Sequence, residues 1–272
     1  MAQDTGRRIA MITGAAGGIG RAMTEVLLGA GYGIAAVDRD VQGLARLAAE
    51  HPGIEPIIAN LESTEGCASA FDAAIARFGR VDAVVNNAGI GVSALRPDAE
   101  TRLPAIEELD AATWDRFFAI NVRAPMLLTR AALPGMRKRG WGRIVNNTTS
   151  FRTMLRVLPY GATKAALESA SAVWAAELAG SGITVNVLIP GGPTDTPFIG
   201  DESGWDRSAM LRPAIMGPPL AWLLSDAAGA YTGQRIIAAR WDAARPEAGG
   251  RAIGWPELGA DAVWLQGSPA QR

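Results

Sequence analysis

The chain has 272 residues, 49% hydrophobic and 19% charged, which supplies apolar side chains for a substantial core and excludes global disorder. Lysine plus arginine number 26 and aspartate plus glutamate 27, a net charge of −1, so the basic excess needed to hold nucleic acid or an acidic membrane surface is missing. A single cysteine, Cys67, excludes a disulfide framework and a multi-cysteine zinc site, and a lone His51 in a His-Pro-Gly turn leaves a Ser-His or Cys-His hydrolase without a base.

In chain order, short apolar runs alternate with stretches of helical spacing. Residues 8–13 read as a buried strand, followed by a glycine cluster and a helix in which Ile19, Met23, Val26, Leu27 and Ala30 share one face. Strand 33–38, helix 42–50, strand 54–60, the Ala-rich helix 64–78 and strand 81–86 follow. One long helix is expected over 113–139, then strand 143–148, helix 160–178, strand 183–189 and a last strand at 235–239. Strands without in–out alternation, separated by helices, specify a parallel sheet buried on both faces. The expected fold is α/β: a single-domain, Rossmann-like, doubly wound parallel sheet with helices on both faces. One domain over 1–241, with a substrate lid at about 198–216, and a tail over 242–272 is the expected organisation. No apolar run reaches membrane-spanning length and residues 1–8 carry no apolar leader, so a cytoplasmic protein is expected. In such a sheet the ligand sits at the carboxyl ends of the strands, so functional residues belong just after Thr13, Asp38, Asn60, Asn86, Thr148 and Ile189.

The first of these points is Gly14-Ala15-Ala16-Gly17-Gly18-Ile19-Gly20, between a strand and a helix. Its glycines allow a tight turn and a close approach of backbone to a pyrophosphate at the helix N-terminus. Asp38 ends the second strand, where a carboxylate accepts both ribose hydroxyls of an adenosine and repels a 2′-phosphate. NAD is therefore expected; the neighbouring Arg39, which can pair with that phosphate, keeps NADP possible.

Thr13-Gly14-x-x-x-Gly18-x-Gly20, Asn86-Asn87-Ala88-Gly89, Asn121, Tyr160-x-x-x-Lys164 and Pro190-Gly191 occur in this order. Together they resemble the short-chain dehydrogenase/reductase family over residues 8 to about 240. The resemblance implies NAD(P)-dependent interconversion of a secondary alcohol and a ketone. Tyr160 and Lys164 stand one helical turn apart. A nearby ammonium favours the phenolate of a tyrosine whose ordinary pKa is about 10, so Tyr160 is the expected acid/base, with Lys164 also reaching the nicotinamide ribose as in the family. Asn121 falls inside the long helix with Pro125 four residues on, which has no N–H for the Asn121 carbonyl; in the family the matching carbonyl holds a relay water. The family's Asn-x-Ser-Ser is here Asn146-Asn147-Thr148-Thr149-Ser150. Counting from Gly142 puts Thr149 at the catalytic serine position, with Ser150 as competitor.

The resemblance extends the cofactor set Gly14, Ala16, Gly18, Ile19, Gly20, Asp38 and Arg39 to Asn60 and Leu61 beside adenine, and to Asn87, Ala88 and Gly89 on the adenosine side. Tyr160, Lys164, Pro190 and Gly191 belong to the nicotinamide end, with Thr194 or Thr196 reaching its carboxamide. No metal is expected. Three segments, 91–107, 151–159 and 198–215, are candidates for substrate selection. Arg96, Arg102, Arg152 and Arg156 among their apolar residues suggest a pocket for a hydrophobic or carboxylate-bearing alcohol. The tryptophan-rich tail, with Trp241, Trp255 and Trp264, is expected to dock on its own or a neighbouring subunit. A homotetramer or homodimer is implied by the family, with a small-molecule substrate as the other partner. The same-class alternative is an NADP-dependent 3-oxoacyl reductase using Arg39; the different-class alternative is a non-catalytic dinucleotide-binding regulator.

Overall fold

A computed structural model of the chain describes residues 6–254. Eight strands form one sheet in the order β3-β2-β1-β4-β5-β6-β7-β8. They are β1 (Ile9–Thr13), β2 (Gly33–Asp38), β3 (Ile54–Ile58), β4 (Ala83–Asn86), β5 (Gly142–Asn147), β6 (Ile183–Ile189), β7 (Gln234–Ile237) and β8 (Gly250–Ala252). The first seven are parallel, as expected; β8 runs antiparallel along β7. The helices are α1 (Gly18–Gly29), α2 (Val41–Glu50), α3 (Thr64–Phe78), α4 (Ala111–Phe118), α5 (Ala124–Arg139), α6 (Phe151–Met154), α7 (Tyr160–Glu177) and α8 (Gly217–Leu223).

Residues adjacent along a strand face opposite ways, and here both directions are buried. Ala10 and Ile12 of β1, with Ile34 and Ala36 of β2, pack into a core that includes Met23 and Leu27 of α1 and Leu220 of α8. Their neighbours Met11, Ala35 and Val37 pack on the other face with Ala70 of α3, Leu128 of α5 and Ala175 of α7. The two cores hold the sheet rigid between helical layers. Strand order reverses between β1, which leads outward to β2 and β3, and β4, which leads the other way. The resulting crevice lies where the carboxyl ends of β1 and β4 meet.

The long helix, the segment 151–159 and the edge of the sheet differ from the sequence reading. The single helix expected over 113–139 begins at Ala111, capped by the Asp110 carboxylate on the Thr113 N–H (2.7 Å), and is split by a π turn at Ala119–Arg123. Pro125 cannot donate to the Asn121 carbonyl, and the helix widens there: Ala124 N–H bonds to the Ala119 carbonyl five residues back. The segment 151–159 contains α6, whose four residues are too few to show periodicity. Residues 250–252, assigned to the tail by sequence, form β8 on the edge of the sheet. The tail's Trp255 and Trp264 lie outside the described residues.

Candidate active site

The glycine turn leaves β1 through Gly14, whose φ of +67° lies in the left-handed region that glycine adopts without strain. Gly20 packs directly on the turn. A Cβ there would stand 2.7 Å from the Gly14 carbonyl carbon and 2.9 Å from Ala15 Cα. Gly17 caps α1 and has no side chain to satisfy the first amides of the helix, which include those of Gly18 and Ile19. A turn of glycines with uncapped amides and a helix dipole behind them fits a pyrophosphate. Ala16 lies beside Asp38, whose Oδ2 accepts its N–H at 3.0 Å while Oδ1 accepts from Asp40 N–H at 3.0 Å. The carboxylate is thus fixed next to the turn. Arg39 is exposed and has no ion-pair partner among the described residues. Asn60 is also exposed, its Oδ1 accepting from Glu62 N–H, and Leu61 is buried in the core.

Asn87 ties this turn to the neighbouring strand: its Nδ2 donates to the carbonyls of Thr13 (3.0 Å) and Gly14 (3.3 Å). The Thr13 hydroxyl in turn accepts from the N–H groups of Asn87 and Ala88, both at 3.0 Å. Asn147 at the end of β5 donates through Nδ2 to Asn87 Oδ1 at 3.0 Å.

The carbonyl of Asn147 accepts from Lys164 Nζ at 2.8 Å. Lys164 is only 3% exposed, and burial alone pushes its pKa down to about 8. Its Nζ lies 5.7 Å from the Tyr160 ring centroid. Asn121, fully buried in the π turn, accepts from Ile90 N–H (2.9 Å) and donates to the Ile90 carbonyl and Thr163 hydroxyl, both at 3.0 Å. Gly89 lets these groups converge, since a Cβ there would lie 3.1 Å from Asn121 Oδ1 and 3.4 Å from Lys164 Nζ.

Burial raises the Tyr160 phenol above the ordinary tyrosine range; the facing Thr149 hydroxyl opposes that shift and the Glu100 carboxyl adds to it. The depression expected from Lys164 is not among the influences on Tyr160, which burial dominates; the ammonium is engaged by the Asn147 carbonyl. Of the two candidate hydroxyls, Thr149 faces Tyr160, whereas Ser150 caps α6, accepting from Thr153 N–H at 3.1 Å.

Pro190 and Gly191 leave β6; the Pro190 carbonyl accepts from Ala239 N–H at 3.0 Å, and Gly191 has φ +103°. Thr194 bonds to the Gly192 carbonyl, while the Thr196 methyl leans over the glycine turn, where a Cβ on Gly18 would meet it at 2.6 Å. Beyond them the chain is pinned by Arg207, which donates to Asp195 (2.9 Å), Asp201 (2.7 Å) and the Ile199 carbonyl (2.8 Å). The Phe198 ring stands 5.7 Å from that of Tyr160, and Ser93 donates to the Phe198 carbonyl at 2.9 Å. Segments 91–107 and 198–215 therefore meet over Tyr160.

The arginine-edged pocket is not what this region forms. Arg96 and Arg102 are held in ion pairs with Asp98 and Glu108, and Arg152 and Arg156 are exposed. The charge that acts on Tyr160 from the 91–107 segment is the carboxyl of Glu100, itself raised by burial. Sequence reasoning passed over Glu100 because a lone glutamate in a loop has no motif.

The family model described as short chain dehydrogenase matches residues 8–206. D-threitol dehydrogenase of Mycolicibacterium smegmatis is 35% identical over 192 residues, 67% of this chain and 69% of that protein. A 3-ketoacyl-(acyl-carrier-protein) reductase from Brucella melitensis, solved with NADH, superposes with a TM-score of 0.71 at 28% identity, covering 85% of this chain and 95% of that one. A structure from Beutenbergia cavernae with bound NADP gives a TM-score of 0.71 at 29% identity, with 85% and 94% covered. The chain belongs to the short-chain dehydrogenase family. It is an NAD(P)-dependent oxidoreductase acting on CH–OH groups and their carbonyl counterparts.

The tight contact at Gly20 yields a direct expectation. Gly20→Ala forces the turn apart, so NADH affinity falls by at least about tenfold, read by NADH fluorescence titration.

Proposed function

We propose that Tyr160 is the acid/base in the interconversion of a secondary alcohol and a ketone, with Thr149 as hydrogen-bond donor to the substrate oxygen and NAD as preferred cofactor. The observation that carries this reading is the convergence of Tyr160, Thr149 and Lys164 beside the carboxyl end of β5, next to the glycine turn. In the reductive direction the raised pKa suits a neutral phenol that gives its proton to the carbonyl oxygen. In the oxidative direction Tyr160 takes the hydroxyl proton as hydride leaves the carbon. An oxidised nicotinamide in this cleft supplies the hydride acceptor and a positive charge that favours the phenolate. Lys164 holds the wall of the cleft through Asn147 and is placed to bind the nicotinamide ribose. Asn121 sets the position of Ile90 and Thr163 around it. The remaining cofactor contacts are assigned to Gly14, Ala16, Gly18, Ile19, Asp38, Asn60, Leu61, Asn87, Ala88, Gly89, Pro190, Gly191, Thr194 and Thr196.

Asp38 supports NAD, since its fixed carboxylate suits ribose hydroxyls and repels a 2′-phosphate. The exposed guanidinium of Arg39 favours the second reading, an NADP-dependent 3-oxoacyl reductase. Residues 198–216 are read as the substrate lid, and the catalytic domain as 1–241 with the tail at 242–272. No helix of the described residues is long and apolar enough to cross a membrane, and a cytoplasmic location accompanies this reading. A homodimer or homotetramer through α5 and α7 is supported by exposed Met126 and Val173 on those helices.

Tyr160→Phe abolishes turnover across a panel of secondary alcohols and ketones while NADH still binds; retained turnover contradicts the assignment. Asp38→Ala weakens NADH and strengthens NADPH, shifting the ratio of their dissociation constants by about tenfold or more. Glu100 raises the Tyr160 pKa, so Glu100→Gln moves the midpoint of the activity-against-pH curve for alcohol oxidation to lower pH; a midpoint that stays or rises rejects that electrostatic role.

A further inference from the structure

Arg235 stands on β7 with a side chain only 4% exposed, facing Glu168 of α7, whose side chain is fully buried. Its Nη1 donates to Glu168 Oε2 at 2.8 Å and to Thr148 Oγ1 at 3.2 Å. Its Nη2 donates to the Thr149 carbonyl at 2.6 Å, and its guanidinium carbon lies 4.2 Å from the Phe151 ring centroid. The Thr148 hydroxyl donates to the same Glu168 oxygen at 2.8 Å. Burial pushes the Glu168 carboxyl up and the Arg235 guanidinium down, and the ion pair with its hydrogen bonds opposes both. Such a pair is costly to bury, and an apolar pair fills the same space without that cost, so stability alone is a poor reason for it.

Its placement supplies a better one. Tyr160, Lys164 and Glu168 follow one another at one-turn intervals along α7. Arg235 carries the line from Glu168 across to the backbone of Thr149, and the Thr149 hydroxyl faces Tyr160. The chain of contacts closes on itself. We propose that Arg235 is a positioning residue: clamped by Glu168, it fixes the Thr149 backbone so that the Thr149 hydroxyl is aimed at Tyr160 and the substrate oxygen. Thr149 lies two residues beyond the end of β5 and precedes the cap of α6, outside the strand ladder, and the planar guanidinium fork holds it there. This role rests on the reading of Thr149 given above, but its test does not depend on turnover.

The chain has three tyrosines, so ring-labelled tyrosine gives a resonance for Tyr160 that is assigned by its loss in Tyr160→Phe. The charged groups facing Tyr160 are Lys164 on its own helix and Glu100 from the 91–107 segment, and both stay in place. Arg235→Met combined with Glu168→Gln removes the clamp without leaving a lone buried charge. In NAD-saturated protein with unchanged circular dichroism, this pair is expected to move the Tyr160 resonance in the same direction as Thr149→Val. Added to Thr149→Val it is expected to move the resonance no further, the non-additivity of residues acting in series. Arg235→Lys, which keeps the charge opposite Glu168 but cannot fork to Thr149, gives a smaller shift of the same sign and covers the case of a misfolded pair. A Tyr160 resonance unchanged in the folded variants, or a shift that adds to that of Thr149→Val, overturns the proposal. Loss of turnover in Tyr160→Phe reports on the acid/base assignment separately.

Discussion

The ammonium of Lys164 is buried, and a buried charge requires a partner. It finds the carbonyl of Asn147 at 2.8 Å, and that contact joins α7 to the end of β5. The rest of the cleft is arranged around this bond. Gly89 lacks the side chain that would crowd the nitrogen, and Asn121, turned inward by the π turn, closes the space beside it. Burial that costs the ammonium some of its charge also raises the phenol one turn away. The same burial thus favours a neutral phenol and a less basic ammonium on one helix.

A second constraint links the two ends of the cleft through asparagines. Asn86 donates to Asn146 across β4 and β5 at 2.8 Å, and Asn146 donates to Ser171 of α7 at 2.8 Å. On the opposite face Asn147 donates to Asn87, which donates to the glycine turn. Successive strand residues point to opposite sides, so two adjacent pairs of asparagines reach both layers. One line runs to α7 and the other to the glycine turn. These hydrogen bonds tie the glycine turn to α7, although Asn86 Oδ1 and Asn147 Oδ1 are buried without a hydrogen-bond partner among the described residues.

Polar groups elsewhere near the cleft do a different task. Arg96, Arg102 and Arg207 bind nearby carboxylates, so ion pairs supplement the small apolar cluster of Ile90, Phe117 and Ile120 with Leu95 and Tyr160 in holding the irregular chain there. These pairs sit partly in water and are individually weak. The segments they hold are therefore tied down less firmly than the sheet beneath them.

Strands β2 and β6 and helix α3 were read from sequence at their observed bounds, because continuous apolar runs and Ala-rich periodicity reflect burial that any packing must satisfy. The glycine turn, Asp38 and the Tyr160–Lys164 spacing were legible for the same reason: each is a local geometric requirement. The π turn was hidden, although Pro125 supplied its cause, because the missing N–H does not say whether a helix ends, bends or widens. Strand β8 was hidden because three residues including glycine have no pattern until β7 offers an edge. Counting from Gly142 favoured Thr149 but kept Ser150 as a competitor; in the structure the Ser150 hydroxyl caps α6, while Thr149 faces Tyr160. Arginines 96 and 102 looked like substrate ligands until folding delivered Asp98 and Glu108 to them, and Glu100, Glu168 and Arg235 carried no signal at all. Sequence by itself determined the sheet, the glycine turn between β1 and α1 and the one-turn spacing of Tyr160 and Lys164, because these follow from local spacing and burial. Only the tertiary structure decided which charges are paired and which hydroxyl faces the phenol, because irregular segments such as 91–107 have no periodicity to fix their internal distances, and Arg235 meets Glu168 and Thr149 from far along the chain.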